Sequence, residues 1–433
     1  MISLDNLRIQ SFLDIENVSN LNFIVKPSSH VKLYLQANFK ANFKDKIKDI
    51  IRTVKKSAIS IEIPTNNTNS KVIFKGFIEK CKFMNSLGVN TCYIEAISMT
   101  AKLDVDRNSR LFQDKEESIS GVFKKVTSGL STNIYYNAEV IKQGRLLLQY
   151  DETDWDFLNR VAGYNGQLII PDYKSDKISL NYGIPYNEES VYIRAEYFET
   201  GFEMDFNSRN SYIYDGSRLS ADIYYMAESY EDYDLGRKVS FKNQTLYILE
   251  KEAITREGYI IFIYKLCSKQ LIRAKEQFNE NITGNSITGE VVDVREEDVY
   301  IKCDIDKSGS TYPFAWLPVT GNTLYCMPEK GSKVQLYFGD RDENSINFAC
   351  DILGSIKMGF ANNEKGLITQ SKKAMFISKD AVKIAGNSML SLSSSFIQLA
   401  GSDEVRITAK GNIEIKAEMI SLDSEGEILI EKR

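Results

Sequence analysis

The final sixty residues, Ala374 to Arg433, restrict the possible folds more than any other stretch of the chain. They read as short alternating β segments with no helix between them: Val382-Lys383-Ile384, Leu390-Ser391-Leu392, Phe396 to Leu399, Val405-Arg406-Ile407, Ile413-Glu414-Ile415, Ile420-Ser421-Leu422 and Ile428-Leu429-Ile430. Turn-forming residues separate most of them, as at Gly386-Asn387, Gly401-Ser402-Asp403, Gly411-Asn412 and Asp423-Ser424-Glu425-Gly426. Alternation with a period of two puts every second side chain on one face. A short repeat with a turn at each step is the signature of a β-solenoid or β-helix.

One copy of such a ribbon is too thin to stand alone. Each step offers two or three apolar side chains, against a backbone ordering cost of roughly 1–2 kcal/mol per residue. Its edges are long and unpaired, an aggregation hazard. Several chains wound together would bury the apolar faces along a common axis and pair the edges. The tail therefore predicts a homo-oligomer, most simply a homotrimer forming a three-sided prism. Its candidate axial core is Ile384, Leu392, Leu399, Ile407, Ile415, Leu422 and Ile430. The competing reading is an antiparallel meander packed on its own domain.

A length of 433 residues allows three or four domains. The net charge is −5 and no basic block dominates, which argues against nucleic acid as a partner. No run of about eighteen apolar residues suits a membrane-spanning helix. The start, Met1-Ile2-Ser3-Leu4-Asp5, has neither the basic nor the apolar region of a signal peptide, so assembly in the cytoplasm is expected. Six cysteines at 81, 92, 267, 303, 326 and 350 form no C-x-x-C pair, and His30 is the single histidine, so no structural zinc site is expected. Cys81 and Cys92 flank the turn Asn85-Ser86-Leu87-Gly88 symmetrically and are read as facing, reduced thiols across a hairpin.

The chain is expected to be mainly β with a few helices. Residues 1–280 are expected to form a mainly β region with inserted helices, 281–355 a small OB-fold barrel, and 356–433 the β-helix or prism. In the first region Val31 to Leu35, Ile59 to Ile63, Val72 to Ile78 and Thr91 to Ile97 read as strands. Asn42 to Lys56 reads as a helix, with Phe43, Ile47, Ile50, Ile51 and Val54 on one face. Its lysines 44, 46, 48, 55 and 56 are read as a solvated face in preference to an anion-binding patch.

Residues 118–128 suit a second helix with Ser118 as N-cap and Ile119, Val122, Phe123 and Val126 as its buried stripe. Leu146 to Tyr150 reads as a buried strand, and Thr153 as the N-cap of a helix beginning Asp154-Trp155-Asp156, whose acids suit the helix dipole. A Tyr-rich β region follows at 190–265. Leu266 to Phe278 reads as a closing helix, and Asn279 to Asn285 as a linker. Strands at Ile287 to Val294, Asp298 to Ile305, Thr311 to Trp316 and Lys333 to Phe338 suit a five-stranded barrel of the OB type. Its surface is acidic, through Asp293, Glu296, Glu297, Asp298, Asp340, Asp342 and Glu343, where single-strand binding would need basic and stacking groups. Trp316 is expected to pack at the barrel base.

Two segments carry a family resemblance. Leu146-Leu147-Leu148-Gln149-Tyr150-Asp151-Glu152-Thr153-Asp154-Trp155-Asp156-Phe157-Leu158-Asn159-Arg160-Val161 resembles the QY-x-E-T-D-x-x-F-L-x-R stretch of VgrG-type proteins. Upstream, the stretch from Ala96 to Asp104 and on to Ser109-Arg110-Leu111-Phe112-Gln113-Asp114 is similar to that family's S-x-T-x-x-L-D … R-x-F-Q stretch. The resemblance implies a homotrimeric hub and spike of a contractile injection machine (a type VI secretion system, an extracellular injection system, a phage tail or a tail-like particle), with residues 1–280 as a hub region of two β-barrel domains. It implies inner tube and baseplate proteins as partners, a PAAR-type tip protein, effector cargo, and transient contact with a target membrane, delivery following contraction. Family members carrying a lysozyme, an effector domain or an iron site at the tip differ. The join from Gly354 to Ala374 is too short for a domain, no C-terminal effector domain is expected, and His30 lies far from the tail.

No catalytic constellation stands out. One histidine without a neighbouring motif rules against Ser-His and Cys-His schemes, no phosphate-binding or dinucleotide fingerprint is present, and no cofactor is expected. His30 is read as a surface or strand residue. The alternative function is a trimeric phage-tail or cell-surface receptor-binding adhesin, which would not need the two motifs. A β-helical lyase or hydrolase would need more residues per coil than this tail has.

Overall fold

The computed structural model describes residues 1–40, 58–65, 70–195, 197–202, 223–309, 311–318, 327–351, 365–368 and 374–430. The helix expected at Asn42–Lys56, with its lysines, and the strand at Ser211–Tyr214 lie outside the described residues. The chain divides into two compact units, Met1–Ser355 and Ile356–Arg433.

The first unit opens with strands β1 (Ile2–Ser3), β2 (Arg8–Gln10), β3 (Asp14–Val25), β4 (Lys32–Lys40), β5 (Ala58–Pro64), β6 (Ser70–Ser86) and β7 (Val89–Ser98). A middle module follows: β8 (Arg107–Phe112), helix α1 (Ile119–Val126), β9 (Thr132–Tyr136), β10 (Leu147–Thr153), helix α2 (Asp154–Tyr164), β11 (Ile169–Pro171) and β12 (Ile178–Tyr182). The chain then returns through β13 (Asn187–Tyr192), β14 (Phe198–Phe202), β15 (Ile223–Ser229), β16 (Arg237–Phe241), β17 (Gln244–Arg256) and β18 (Tyr259–Cys267).

The stretches before and after the middle module join in one thirteen-stranded sheet. The early half is an antiparallel run in the order β2-β5-β6-β7-β4-β3. The later half pairs β14-β15-β18-β17, with β16 on β17 and β13 beside β16. The halves meet where β17 pairs with β3, at Lys251↔Val25, Glu252↔Ile24 and Ala253↔Phe23. Where two hub barrels were expected, the described strands thus form two halves of a shared sheet.

Alternation explains the register. On β4, Leu33, Leu35, Ala37 and Phe39 are buried while Lys32, Tyr34 and Lys40 are exposed, so a one-residue slip would turn the core outward. The β6–β7 hairpin closes through Leu87 and Gly88 at φ +51° and +86°, the positive pair of a type I′ turn. That turn sets Cys92 opposite Phe83 and Cys81 opposite Ile94. The two cysteines therefore do not face each other, because the turn centres one residue later than the symmetric reading placed it. Both thiols are free, and burial pushes Cys81 up to about 12 and Cys92 up to about 11.

The expected helix at Leu266–Phe278 is not formed. Leu266 and Cys267 instead extend β18 and pair with both β15 and β17. Inter-strand bonds on both sides, with Leu266 and Cys267 buried, outweigh the local helical pattern. Beyond them only a 3-10 turn, Lys269–Leu271, is present. The linker expected at 279–285 is likewise a packed connection. Asn279 donates to the Tyr150 carbonyl at 2.8 Å, and Ile282 is fully buried in the next core.

The barrel contains β19 (Asn285–Arg295), β20 (Asp298–Cys303), β21 (Phe314–Leu317), β22 (Lys333–Phe338) and β23 (Asn347–Asp351), closed in the order β19-β20-β21-β23-β22. Its third and fifth strands run parallel, through Trp316↔Ala349 and Leu317↔Cys350. Trp316 packs against the barrel core, as expected.

In the second unit, β24 (Lys365–Ile368), β25 (Ala374–Ile377) and β26 (Val382–Ala385) form a small antiparallel sheet. From 386 to 430 no strand is formed within the single chain. The apolar positions there stay outward: Leu392 is 63%, Ile407 64%, Ile415 68% and Ile430 84% exposed. Ile384, Leu399 and Leu422 are also more than half exposed. Only the first three strands form an antiparallel meander, and their apolar side chains are also largely exposed, as at Val382 (64%) and Ile384 (54%).

Candidate functional site: the ionic seam between the middle module and the barrel

The two motif-bearing segments meet as neighbouring antiparallel strands, β8 and β10. Their alternation serves two cores at once. Leu147 pairs with Phe112 and both pack in the middle module, while Leu148 pairs with Leu111 and both pack in the barrel core. The strand pair is a wall shared by the two modules. Its continuous apolar run, Leu146-Leu147-Leu148, is what a strand buried on both faces requires.

The register then breaks between Gln149 and Glu152, and Asp151 takes φ +43°. This bulge re-aims the chain, and Glu152, Thr153 and Asp154 are all buried. Thr153 Oγ1 accepts from the Asp156 N–H at 3.1 Å and starts α2, as its sequence position predicts. Thr153→Ala should lower stability by about 1 kcal/mol; urea unfolding followed by Trp fluorescence checks this, and an unchanged midpoint contradicts the capping role. Asp154 does more than complement the helix dipole. Its Oδ1 accepts from Gln149 at 2.9 Å and Asn108 at 3.1 Å, and it pairs with Arg110.

Arg160 is the centre of the site and is about 1% exposed. Its Nε and one terminal nitrogen donate to Glu152 at 2.9 and 2.8 Å. The other terminal nitrogen donates to both oxygens of Glu343, at 2.8 and 3.1 Å, and to the Tyr164 hydroxyl. The Leu148 carbonyl accepts a further bond at 2.7 Å. Glu343 belongs to the barrel and is fully buried, so one guanidinium ties strand β10, helix α2 and the barrel together. Burial works against its charge, but Glu343 and Glu152 outweigh that and hold Arg160 well above its ordinary value. Burial also pushes the Glu152 carboxyl up, against the pull of Arg160.

Further bonds line the seam. Arg145 reaches Asp342 at 2.8 Å, and Asn344 brackets Leu146 by accepting from its N–H at 2.9 Å and donating to its carbonyl at 3.0 Å. Just past β8, the Gln113 amide donates to the Ile301 carbonyl at 2.8 Å and to Asp306 at 2.7 Å. The Arg110-x-Phe112-Gln113 motif therefore supplies one bond to Asp154, one core ring and one clasp on the barrel.

Reading the sequence placed Thr153 and Asp154 correctly and missed the Arg160–Glu343 pair. Glu343 was read only as part of an acidic surface, and its partner lies 183 residues away. The available signal was Arg160 itself, set among Phe157, Leu158 and Val161 in a helix that is buried on nearly all sides.

His30 is not a surface or strand residue. Its side chain is only 11% exposed and packs against Trp155 with the rings tilted by 35° and their centroids 4.2 Å apart, with Nδ1 2.9 Å from Thr100 Oγ1. Burial lowers its pKa from 6.5, although Asp104 opposes the shift. Because the unfolded state then binds the proton more tightly, the neutral imidazole's contribution is complete above pH 6.5 and is lost as pH falls toward the lowered value. His30→Gln should flatten the drop in Tm below neutrality; an identical Tm–pH profile would contradict this role.

Among the described residues no group of three or more His, Cys, Asp or Glu is placed to hold a metal ion. The tail candidates Ile384 to Ile430 are not part of the seam and belong to the second unit.

A family model described as the Alg8 N-terminal domain matches residues 55–210, less than half of the chain. No curated protein sequence matches. Among solved structures, an E. coli protein aligns with TM-score 0.55 and 12% identity, over 79% of this chain and 98% of its own. It is described as a component of the type VI secretion system with structural similarity to the bacteriophage T4 tail proteins gp27 and gp5. A chain of the Francisella PdpA–VgrG complex in its lidded form aligns with TM-score 0.51 and 10% identity, over 87% of this chain and 76% of its own. The fold built around the ionic seam is thus shared with a type VI secretion component and with a chain of a VgrG complex, at the level of architecture rather than sequence.

Proposed function

We propose that this chain is the central hub and spike of a contractile injection machine. In this reading it is a homotrimer that caps the inner tube, contacts baseplate proteins and leads the puncture of a target envelope. The observation that carries the reading is the tail: a repeating apolar ribbon that a single chain leaves uncovered, on a chain whose other unit has the fold of injection-system proteins. Three ribbons wound about one axis would bury Ile384, Leu392, Leu399, Ile407, Ile415, Leu422 and Ile430, each gaining about 1.5–3 kcal/mol on full burial.

The remaining parts fit the same machine. The closed strand order, with third and fifth strands parallel, supports an OB-fold neck at 281–355. The two joined halves of the large sheet support a hub of two related domains per chain, which a trimer would multiply to six. The ionic seam lets the hub and the barrel move as one body when load passes between them. The two buried carboxylates of the motif, Glu152 and Asp154, are occupied by structural bonds, which favours a mechanical over a catalytic role. A PAAR-type tip protein and effector cargo are the partners this reading assigns to the needle end, with assembly in the cytoplasm and delivery on contraction. An adhesin would share the tail but leaves the seam without a purpose.

Electron microscopy of particles assembled with a gold-labelled C-terminus tests the assignment. One label cluster at the leading end of the tube is expected. Particles that assemble and contract normally without the chain would contradict it.

A further inference from the structure

Lys251 stands where alternation along β17 calls for an apolar side chain. It shares the buried face of that strand with Ala253, pairs with Val25 and Tyr264 in the neighbouring strands, and is 1% exposed. The rings of Phe23, Tyr173 and Phe262 lie around its ammonium, with centroids 6.0, 5.3 and 5.7 Å from Nζ. Its partner is Asp232, in the strap 230–236 between β15 and β16. The Asp232 side chain is 2% exposed, and its Oδ1 lies 2.7 Å from Nζ. Lysine and aspartate are almost never fully buried, and an ion pair in so dry a site carries a heavy desolvation cost.

The surroundings distinguish the two oxygens of Asp232. Oδ1 faces Lys251, while Oδ2 faces Lys71 at 2.9 Å and Lys174 at 3.9 Å. Asp234 Oδ1 lies 3.8 Å from the same Nζ, is 71% exposed and also pairs with Lys174. Four parts of an acyl-transfer site thus lie together: an amine, an acyl carbon, two cations beside the oxygen that would take up negative charge, and a carboxylate able to move a proton. Burial raises the Asp232 carboxyl, but Lys251, Lys174 and Lys71 outweigh it and hold it down at about 2. The pair therefore starts as two ions. Three ammonium groups crowded on one carboxylate favour the loss of a proton from one of them.

We propose that Lys251 and Asp232 condense to an intramolecular isopeptide bond. Lys251 passes one proton by way of Asp234 to Asp232 Oδ1, and the freed amine attacks Cγ. The negative charge of the tetrahedral adduct falls on Oδ2, beside Lys71 and Lys174. A second proton from the nitrogen reaches Oδ1, the Cγ–Oδ1 bond breaks, and water leaves. One ammonium and one carboxylate become one amide and one water, with no oxidant and no outside acid. A neutral amide replaces two buried ions, and the strap is fixed covalently to β17.

The test is the mass of the full chain, measured after unfolding. It is expected to lie below the sequence mass by one water. Trypsin should then release a branched peptide joining the segment that holds Asp232 to the segment that holds Lys251. The branched peptide separates this link from a succinimide elsewhere, which would remove the same mass. Lys251→Arg keeps the cation and its ion pair but cannot form the bond; it should recover the full mass and yield no branched peptide. Asp234→Asn should lower the linked fraction. A parent chain at the full sequence mass, with the two peptides released separately, would overturn the proposal and leave an ordinary buried ion pair. The link stands apart from the tail and the ionic seam, so its failure would leave the hub-and-spike reading untouched.

Discussion

The double substitution Ile407→Asp and Ile415→Asp should abolish stable trimers. Both side chains are about two-thirds exposed in one chain, at 64% and 68%, so a monomer would tolerate the change almost without cost. In a wound prism the same positions face the axis, and each step would carry three carboxylates into a dry core. Unpaired charge there costs several kcal/mol per ion, which exceeds what the two lost apolar layers contributed. Size-exclusion chromatography with thermal denaturation reads the outcome. A parent-like mass and Tm in the double variant would sink the wound-tail account, which places both positions on the buried axis.

Replacing Arg160 by Met should have the second large effect. It leaves Glu152 and Glu343, at 7% and 0% exposure, without their shared cation. Breaking a buried pair from one side costs about 3–5 kcal/mol. The loss should be local at first, loosening the barrel from the middle module and exposing the 279–285 connection to protease. Adding Glu152→Gln and Glu343→Gln should recover much of that loss, since neutral amides are cheaper to bury than stranded carboxylates. Urea unfolding and limited proteolysis of the single and triple variants give the comparison. A single variant within about 0.5 kcal/mol of the parent, typical of a surface change, would mean that the guanidinium does not hold the seam.

Local features of the sequence were the most legible. The stripe Ile119, Val122, Phe123 and Val126 and the caps Ser118 and Thr153 were readable because a helix start is decided by neighbouring residues. The barrel's strands were readable from alternation and turn chemistry. What escaped depends on distant partners. Leu266 and Cys267 carry a helix-like pattern, but strands β15 and β17, formed elsewhere in the chain, capture them. The ring of His30 is largely buried against Trp155, a pairing that no local pattern encodes. At the seam, the motif announced that residues 146–161 matter but could not name Glu343, whose role exists only once the barrel is placed against β10. The tail is the reverse case. Its pattern was plain in the sequence, yet within one chain residues 386–430 form no strand; on the proposed reading their hydrogen-bond partners come from other copies.

The account's central claim is that this chain works as an intertwined trimer, and its native mass by light scattering tests that most directly. The account predicts three times the chain mass of 49.3 kDa, with the tail protected from hydrogen exchange. A monodisperse single-chain mass, with residues 386–430 exchanging freely, would contradict it.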